Sequence, residues 1–324
     1  MKSLWRTLLT MSAAFVAATT SGFGQAIEEP VVLIIDLENA VIYRGDVTDA
    51  ARLARDPGPT TALAARAFQY THNVADIVAV NGRPAKGLFC NRTAALSPRL
   101  NPQPGQMVAD YDGDGSILCI WQVLGTDGKW IGTLADTGGS PMPGHAVTGG
   151  QGAFLGVIGE HRPLEMTAWR VASVTEDPAN RRLHGGGKAR LLFHLYPRHR
   201  PSVDVSAGGP AVFHAEFVSV SAANPARAGE VLTVAVRNLG PTRPSLLPLG
   251  SHPFNADPPE EVNSPLEVTM NGKEADVINK IGWPGTTDLY RVDFRVPEGL
   301  APGMATLRLA AAWIPGPEVK IPVR

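Results

Sequence analysis

The sequence predicts an all-β protein, because apolar and polar residues alternate along short segments and turn residues are abundant. Strict alternation places one side chain in the core and the next in water, which is typical of half-buried strands. Glycine (34) and proline (28) are plentiful while charged residues make up 18% of the chain, a composition that suits turn-rich β structure. We therefore expect the chain to end in a β-sandwich. The segments that alternate are Val231–Arg237, Leu266–Met270, Ala275–Ile278, Leu289–Val296, Ala305–Ala310 and Val319–Val323.

The N-terminal half shows further strand patterns. Val31–Leu37 is a continuous apolar run, as expected of a strand that is covered on both faces. Short turns separate paired apolar runs and predict two hairpins. The one plausible helical stretch is Asp46–Arg55. The strands predicted after Leu37 are Ile77–Val80, Ala85–Cys90, Ile117–Leu124, Trp130–Ala135, Phe154–Gly159, Trp169–Thr175, Ala189–Tyr196 and, at the start of the second domain, Phe213–Val220.

The first 26 residues have the pattern of an export signal. Lys2 and Arg6 supply positive charge, Leu8–Ala18 is a short apolar run, and small residues precede a cleavage point after Ala26. The run is shorter than the roughly 20 residues that span a bilayer. We expect a secreted protein, periplasmic or extracellular, without membrane insertion. A buried N-terminal helix is the alternative.

Length and charge limit the domain count and the partners. The mature chain is long enough for two domains, which we expect at residues 27–205 and 210–324. The net charge is −1, from 29 basic and 30 acidic residues. This balance argues against a nucleic-acid partner or an anionic membrane surface.

Two cysteines are present, Cys90 and Cys119. In an oxidising compartment, a disulfide between them is the natural prediction. It would close a loop of roughly 30 residues and stabilise the fold by about 3–4 kcal/mol. Two buried free thiols are the alternative.

A glycine-rich segment carries the first family resemblance. The stretch His145–Gly159, HAVTGGQGAFLGVIG, resembles the glycine-rich segment of dirigent and allene oxide cyclase-like proteins. The order of hairpins across residues 77–196 is compatible with that family. The resemblance implies an antiparallel β-barrel around an apolar cavity, and we expect this fold for residues 27–205.

The C-terminal part carries the second resemblance. The residues AGEV at 228–231, NLGPT at 238–242, NGKEA at 271–275 and DLYRVDFRVP at 288–297 resemble an immunoglobulin-like domain. They are similar to the C-terminal domain of secreted acidobacterial proteins of unknown function. The resemblance implies an immunoglobulin-like β-sandwich at residues 210–324 that serves as an interaction or spacer module for a protein partner.

Residues 110–115, DYDGDG, have the oxygen spacing of a calcium-binding loop. Asp110, Asp112 and Asp114 occupy positions 1, 3 and 5, and Gly115 allows the sharp turn. The twelfth position, a glutamate in such loops, is Trp121. Calcium is the one cofactor that the sequence suggests, and an acidic hairpin turn is the alternative.

The most polar loop of the chain is a candidate ligand-binding site. Arginines in a flexible loop suit recognition of a carboxylate or phosphate, and a solvated loop with internal ion pairs is the alternative. The loop candidates are Glu176, Asp177, Arg181, Arg182, His184 and Lys188.

Trp283, in a tight turn, is a further candidate that could stack on a glycan or simply cover the turn.

No catalytic set can be assembled from the sequence. It contains no G-x-S-x-G motif and no H-x-x-x-H pair, and His194 and His199 are interpreted as surface residues. We therefore favour a secreted, non-enzymatic binding or surface-associated protein. The alternative is a barrel that binds an apolar small molecule and steers its chemistry, and carbohydrate binding is a weaker alternative.

Overall fold

The computed structural model describes residues 29–44, 71–94, 116–139, 144–173, 176–206, 208–243 and 251–324. It confirms the all-β fold and, in the N-terminal half, the barrel. The predicted export signal, the predicted helix Asp46–Arg55 and the acidic loop Asp110–Asp114 lie outside the described residues.

Eight antiparallel strands of the described residues close into a barrel. The strand order is β2-β3-β4-β5-β6-β7-β9-β1, and β1 pairs with β2 to complete the ring. The short strand β8 (Arg170–Ser173) adds to β1 in parallel, and the helix α1 (Asn180–Leu183) precedes β9. The barrel strands are β1 (Val31–Arg44), β2 (Thr71–Val80), β3 (Arg83–Ala94), β4 (Ser116–Leu124), β5 (Trp130–Gly139), β6 (His145–Gly152), β7 (Ile158–Met166) and β9 (Gly187–Tyr196).

Alternation along the strands fills the barrel interior. On β9, buried residues alternate with half-buried or exposed ones, so that Leu191, Phe193 and Leu195 point inward. Trp121 on β4 is fully buried among them. The apolar alternation read from the sequence therefore corresponds to the inner face of the barrel.

The second half of the chain packs against one end of the barrel. Asn263 Nδ2 donates a hydrogen bond to the carbonyl oxygen of Trp130 (3.0 Å), beside the β4–β5 turn. Ala312 and Ile314 are buried in the same hydrophobic cluster as the barrel interior. This end is thus sealed by apolar residues, and the opposite end is left for the site described below.

The described residues after 201 form three further sheets. Side chains of the two larger sheets, such as Val234 and Leu307, share one hydrophobic core. One sheet contains β10 (Ser202–Val203), β13 (Val212–Phe213), β14 (Val231–Arg237), β15 (Thr242–Arg243), β16 (Glu261–Val262), β19 (Val277–Gly282) and β20 (Leu289–Arg295). The second contains β17 (Leu266–Met270), β18 (Lys273–Ala275), β21 (Gly303–Ala311), β22 (Ile314–Pro315) and β23 (Val319–Val323), and the third pairs β11 (Val205–Ser206) with β12 (Gly209–Pro210).

Three strand predictions are wrong. Ala275–Ile278 is not one strand, because β18 ends at Ala275 and β19 begins at Val277. Residues 153–156 form a turn, in which the Leu155 N–H donates to the Gly152 carbonyl (3.2 Å), so β7 begins only at Ile158. The strand predicted at Phe213–Val220 ends at Phe213, because a 3₁₀ helix at Ala215–Phe217 interrupts it. Positive φ at Gly156 turns the chain in the first of these two segments, and positive φ at Glu216 and Phe217 turns it in the second.

The structure does not confirm the predicted disulfide, because it has Cys90 and Cys119 as free thiols. Cys119 lies opposite Asn91 in the β3–β4 register, so these two side chains share the inner face of the barrel. Cys90 precedes Asn91 and therefore points to the opposite face of the sheet. The two thiols lie on adjacent strands, but on different sides of the barrel wall.

A search of the described residues for a helix long and apolar enough to cross a membrane finds none.

Candidate functional site

Four consecutive barrel strands each contribute one polar side chain to a buried cluster. Cys119 on β4 lies opposite Asp136 on β5, and His145 on β6 lies opposite His161 on β7. Directly opposed residues in antiparallel strands point to the same face of the sheet. The thiol, the carboxylate and the two imidazoles consequently meet, and one potential ligand atom from each lies within 4.8 Å of the others. We call these four residues the donor cluster.

Asp136 is the centre of the donor cluster. Its side chain is completely inaccessible, and Oδ1 lies 2.8 Å from Nδ1 of His145. Oδ2 accepts a hydrogen bond from the indole N–H of Trp121 and lies 3.1 Å from Nε2 of His161. The carboxylate therefore contacts three nitrogen-bearing rings. Nδ1 of His145 also lies 3.5 Å from Sγ of Cys119, which links the thiol to the same network.

His161 is held by aromatic packing more than by hydrogen bonds. Its ring stacks on Phe193 with centroids 4.7 Å apart, and Trp121 meets it edge-on at 5.2 Å. Its contact with Asp136 has the distance of an ion pair but not the alignment of a hydrogen bond. Neither ring nitrogen has a hydrogen-bond partner among the described residues, although the side chain is only 5% exposed. Such a buried polar group is costly, and it usually indicates a missing partner.

Gly138 makes room for His145 in the cluster. A Cβ atom at position 138 would lie 2.5 Å from Cδ2 of His145. Any side chain at this position would therefore collide with the imidazole and displace it from Asp136. Gly138, near the end of β5, thus has a packing role in the site.

Burial and charge shift two pKa values in the cluster. Burial alone would raise the pKa of Asp136, but the contacts with His145 and His161 outweigh it and hold this pKa well below its usual range. Burial and the neighbouring Asp136 carboxylate raise the pKa of the Cys119 thiol far above its usual range. At neutral pH and without a bound cation, Asp136 is thus charged and Cys119 is a neutral thiol.

The donor cluster borders a cavity of about 370 Å³ in the barrel. Cys119, His145 and His161 line the cavity directly. The remaining lining is mainly apolar, with Asn73 and Asn91 as further polar groups. The apolar part includes Leu37, Phe89, Trp121, Trp169 and Leu191. The arrangement combines an apolar pocket with polar groups on one side, as in small-molecule binding sites.

The structure places the predicted polar loop on the outside of the barrel. Arg181 Nη2 lies 2.8 Å from Oδ1 of Asp76, and Arg182 also binds this carboxylate, at 3.0 Å. Arg170 and Glu176 form a bidentate pair with contacts of 2.7 and 2.9 Å. The two arginines and Glu176 therefore already have partners. Their predicted role in ligand binding stays a prediction, but none of the six loop candidates lines the barrel cavity.

The other loop candidates are more exposed. Asp177 Oδ1 accepts a hydrogen bond from the Ala179 N–H (2.9 Å), and His184 is exposed. Lys188 pairs with Glu38 at 2.6 Å and borders an outer groove of about 550 Å³. That groove is larger than the barrel cavity. Two of its acidic side chains are paired with its two basic ones, Glu38 with Lys188 and Asp36 with Arg190, and the donor cluster lies elsewhere.

Trp283 is half-buried in its predicted turn. Its ring lies 5.7 Å from the ring of Phe217, and the Arg291 guanidinium lies 5.4 Å from the centre of the Phe217 ring. Phe217 is 51% exposed. The carbohydrate-binding role of Trp283 stays a prediction.

Sequence reasoning missed the donor cluster. His145 is 9 residues from Asp136 and 26 residues from Cys119. These distances do not match the short spacing of the sequence motifs that predict zinc sites. Asp136, His145 and His161 lie outside the strands that the sequence predicts, and the sequence does not define how the strands that contain them pair. Polar side chains at inward positions of barrel strands are the sequence feature that could indicate such a site. Only the strand register shows that these four side chains meet.

No protein-family model and no curated protein matches this chain. Among solved structures, a polysaccharide lyase aligns with 79% of this chain and 34% of its own length, at 10% identity and a TM-score of 0.18. The chain thus spans about a third of the length of that lyase. A TM-score this low does not indicate a shared fold.

Proposed function

We propose that the protein is a secreted binding protein whose barrel holds an apolar small molecule. The observation that carries the proposal is the cavity of about 370 Å³ between the inner faces of the barrel strands. Its volume falls within the range of roughly 300–1,000 Å³ that is typical of small-molecule sites. The resemblance of His145–Gly159 to dirigent and allene oxide cyclase-like barrels supports the same proposal.

The lining defines the class of ligand. The ring of Phe89 packs against the rings of Trp121 and Trp169, with centroid distances of 4.2 and 6.1 Å. They offer flat apolar surface to a ligand, and burying that surface drives binding. His145 and Asn91 offer hydrogen bonds on one side. The ligand that fits best is an apolar molecule that bears one oxygen-containing group.

The sheets after residue 201 would then serve as an interaction or spacer module, as their resemblance to immunoglobulin-like domains implies. They pack on the end of the barrel opposite the donor cluster, so they leave the cavity free. A protein partner bound there would not compete with the small molecule. If a glycan binds instead, Trp283→Ala should abolish binding to a glycan array.

Titration of the purified protein with a fluorescent fatty acid, cis-parinaric acid, and a neutral probe, Nile red, tests the proposal. We expect saturable binding of at least one probe at a 1:1 ratio. Ile117→Phe adds bulk to a side chain that lines the cavity and should weaken binding at least about tenfold. Leu118→Phe is the matched control, because Leu118 is 52% exposed on the same strand.

Absence of saturable binding by both probes would overturn the proposal. Equal binding by the two variants would also overturn it, because the probe would then lie outside the barrel. Circular dichroism of both variants shows whether a loss of binding reflects a loss of fold.

A second candidate is that the barrel also steers the chemistry of its ligand. The observation that favours it is the donor cluster beside the cavity, where His145, held by Asp136, could move a proton at the ligand. A barrel can also select one product by holding a reactive substrate in one conformation. With an unsaturated epoxide generated in solution, steering would give one enantiomer of the cyclised product, and a racemic product would exclude it.

A further inference from the structure

We propose that Cys119, Asp136, His145 and His161 bind one divalent transition-metal ion, with Zn²⁺ as the best match. The proposal goes beyond small-molecule binding and does not depend on it. It rests on four ligands of three chemical types that converge from four strands on one point in the barrel wall.

The donor types select the metal. Thiolate, imidazole and carboxylate groups are the ligands that tetrahedral Zn²⁺ sites use. Cys119 is a neutral thiol in the metal-free protein, and its proton would be released when the ion binds. Calcium and magnesium require oxygen ligands, which this cluster supplies only from Asp136. The set therefore favours Zn²⁺, and Co²⁺ as its spectroscopic substitute, over the hard cations.

The spacing of the donors fits a single ion. Zinc bonds of about 2.0–2.3 Å in a tetrahedron place the ligand atoms roughly 3.3–3.8 Å apart. In the structure, Sγ of Cys119 and Nδ1 of His145 are 3.5 Å apart. Nε2 of His161 and Oδ2 of Asp136 are 3.1 Å apart, and the closest pair is His145 with Asp136 at 2.8 Å. All four ligand atoms lie within 4.8 Å of one another, so the donors are close enough to surround one ion.

An independent observation also points to a ligand at this place. His161 is 5% exposed, and its ring nitrogens have no hydrogen-bond partner in the described part of the chain. An unpaired buried polar group costs about 1–3 kcal/mol. A metal ion coordinated by Nε2 would satisfy that nitrogen. It would also compensate the buried charge of Asp136.

An outer shell for the ion is already in place. The Trp121 N–H donates to Asp136, which fixes the carboxylate, and the stacking of Phe193 fixes the ring plane of His161. Outer partners of this kind orient ligands and typically raise metal affinity about 10–100-fold. Gly138 contributes by leaving the space that His145 occupies.

Cobalt titration of the chelator-treated, full-length protein tests the proposal. We expect one equivalent of Co²⁺ to bind with intense visible bands of tetrahedral cobalt and a thiolate charge-transfer band in the near ultraviolet. One equivalent of Zn²⁺ should displace it. Cys119→Ser should abolish the charge-transfer band, and Cys90→Ser, the matched control on the other face of the wall, should retain it.

A histidine pair provides a second control. His161→Gln should weaken Co²⁺ binding at least about tenfold. His194→Gln should leave it unchanged, because His194 lies on β9 with Glu160 as its neighbour at 3.6 Å, outside the donor cluster.

A measurement on the wild-type protein avoids the possibility that a substitution disturbs the fold. X-ray absorption of the zinc-loaded wild-type protein should show one sulfur at about 2.3 Å and nitrogen or oxygen ligands at about 2.0–2.1 Å. Absence of stoichiometric metal in the folded wild-type protein would overturn the proposal, as would a zinc shell without sulfur. Neither outcome would affect the small-molecule proposal, because no organic ligand enters this test.

Discussion

The barrel wall contains two buried aspartates with opposite surroundings. Asp76, on the outer face of β2, binds Arg181, Arg182 and the amide of Asn39 at 2.8–3.0 Å. Asp136, on the inner face of β5, meets two imidazoles and an indole beside a cavity. The Asp76 carboxylate is neutralised by arginines, which are always charged. The Asp136 carboxylate contacts imidazoles, which can bind a proton or a metal ion instead.

The two pKa shifts have the same direction but different meanings. At Asp76, burial would raise the pKa, but hydrogen bonds from Arg182, Arg181 and Asn39 outweigh burial and hold it well below its usual range. Asp136 shows the same balance with histidines as partners. A lowered pKa therefore does not identify a functional carboxylate. The distinguishing features are the adjoining cavity and the unsatisfied nitrogens of His161.

Exchange of each carboxylate for its amide gives the largest expected difference between the two regions. Asp136→Asn should weaken Co²⁺ binding about a hundredfold, because it removes an anionic donor from the centre of the cluster. Asp76→Asn should leave Co²⁺ affinity within about twofold of the wild type. Isothermal titration calorimetry of both variants measures this. Equal losses would mean that metal affinity reflects barrel stability and not direct coordination.

The same Asp76→Asn variant should lower the free energy of unfolding at pH 7 by about 3–5 kcal/mol, since it leaves the buried Arg181 without a charged partner. The folded-state pKa of Asp76 is lowered, so its contribution is complete above the unfolded value of about 3.9 and is lost as the pH falls below that value. Urea unfolding from pH 7 to pH 3 measures the difference between wild type and variant. We expect it to be constant down to about pH 5 and to narrow below pH 4.

If the difference in unfolding free energy between wild type and Asp76→Asn widened toward low pH, the prediction would be wrong, because Asp76 would then need a raised pKa in the folded protein. Lys188→Ala provides a control on the same outer wall. Lys188 and Glu38 are 67% and 43% exposed, and such pairs contribute little to stability.

The sequence predicts the strands well, because alternation is a local property. Val231–Arg237, Leu266–Met270 and Val319–Val323 have the predicted bounds. The wrong strand predictions lie where an apolar segment turns although its local pattern favours a strand. Phe154–Gly159 is apolar enough for a strand, yet Gly152 and Gly156 adopt positive φ of 65° and 71° and turn the chain.

The candidate site was less accessible to sequence reasoning. A charged loop is visible in a sequence because its residues are adjacent, and the sequence therefore points to Arg181 and Arg182. The structure gives both a partner in Asp76, which lies 105 and 106 residues away. The donor cluster was missed for the converse reason. His145 and His161 meet only because β6 and β7 pair in one register, and register is a property of the closed barrel.

The arginine pair allows a finer division of the Asp76 region. Arg181 and Arg182 bind the same carboxylate oxygen, but their side chains are 9% and 70% exposed. Arg181→Met should cost about 3 kcal/mol of unfolding free energy, because it leaves Asp76 without its buried partner. Arg182→Met should cost less than about 1 kcal/mol, because solvent screens the exposed pair. Double-mutant cycles with Asp76→Asn should show the larger coupling energy for Arg181. Equal coupling energies would mean that the depth of the ion pair does not determine its strength, and the contrast between the outer and inner aspartates would then have to rest on the cavity alone.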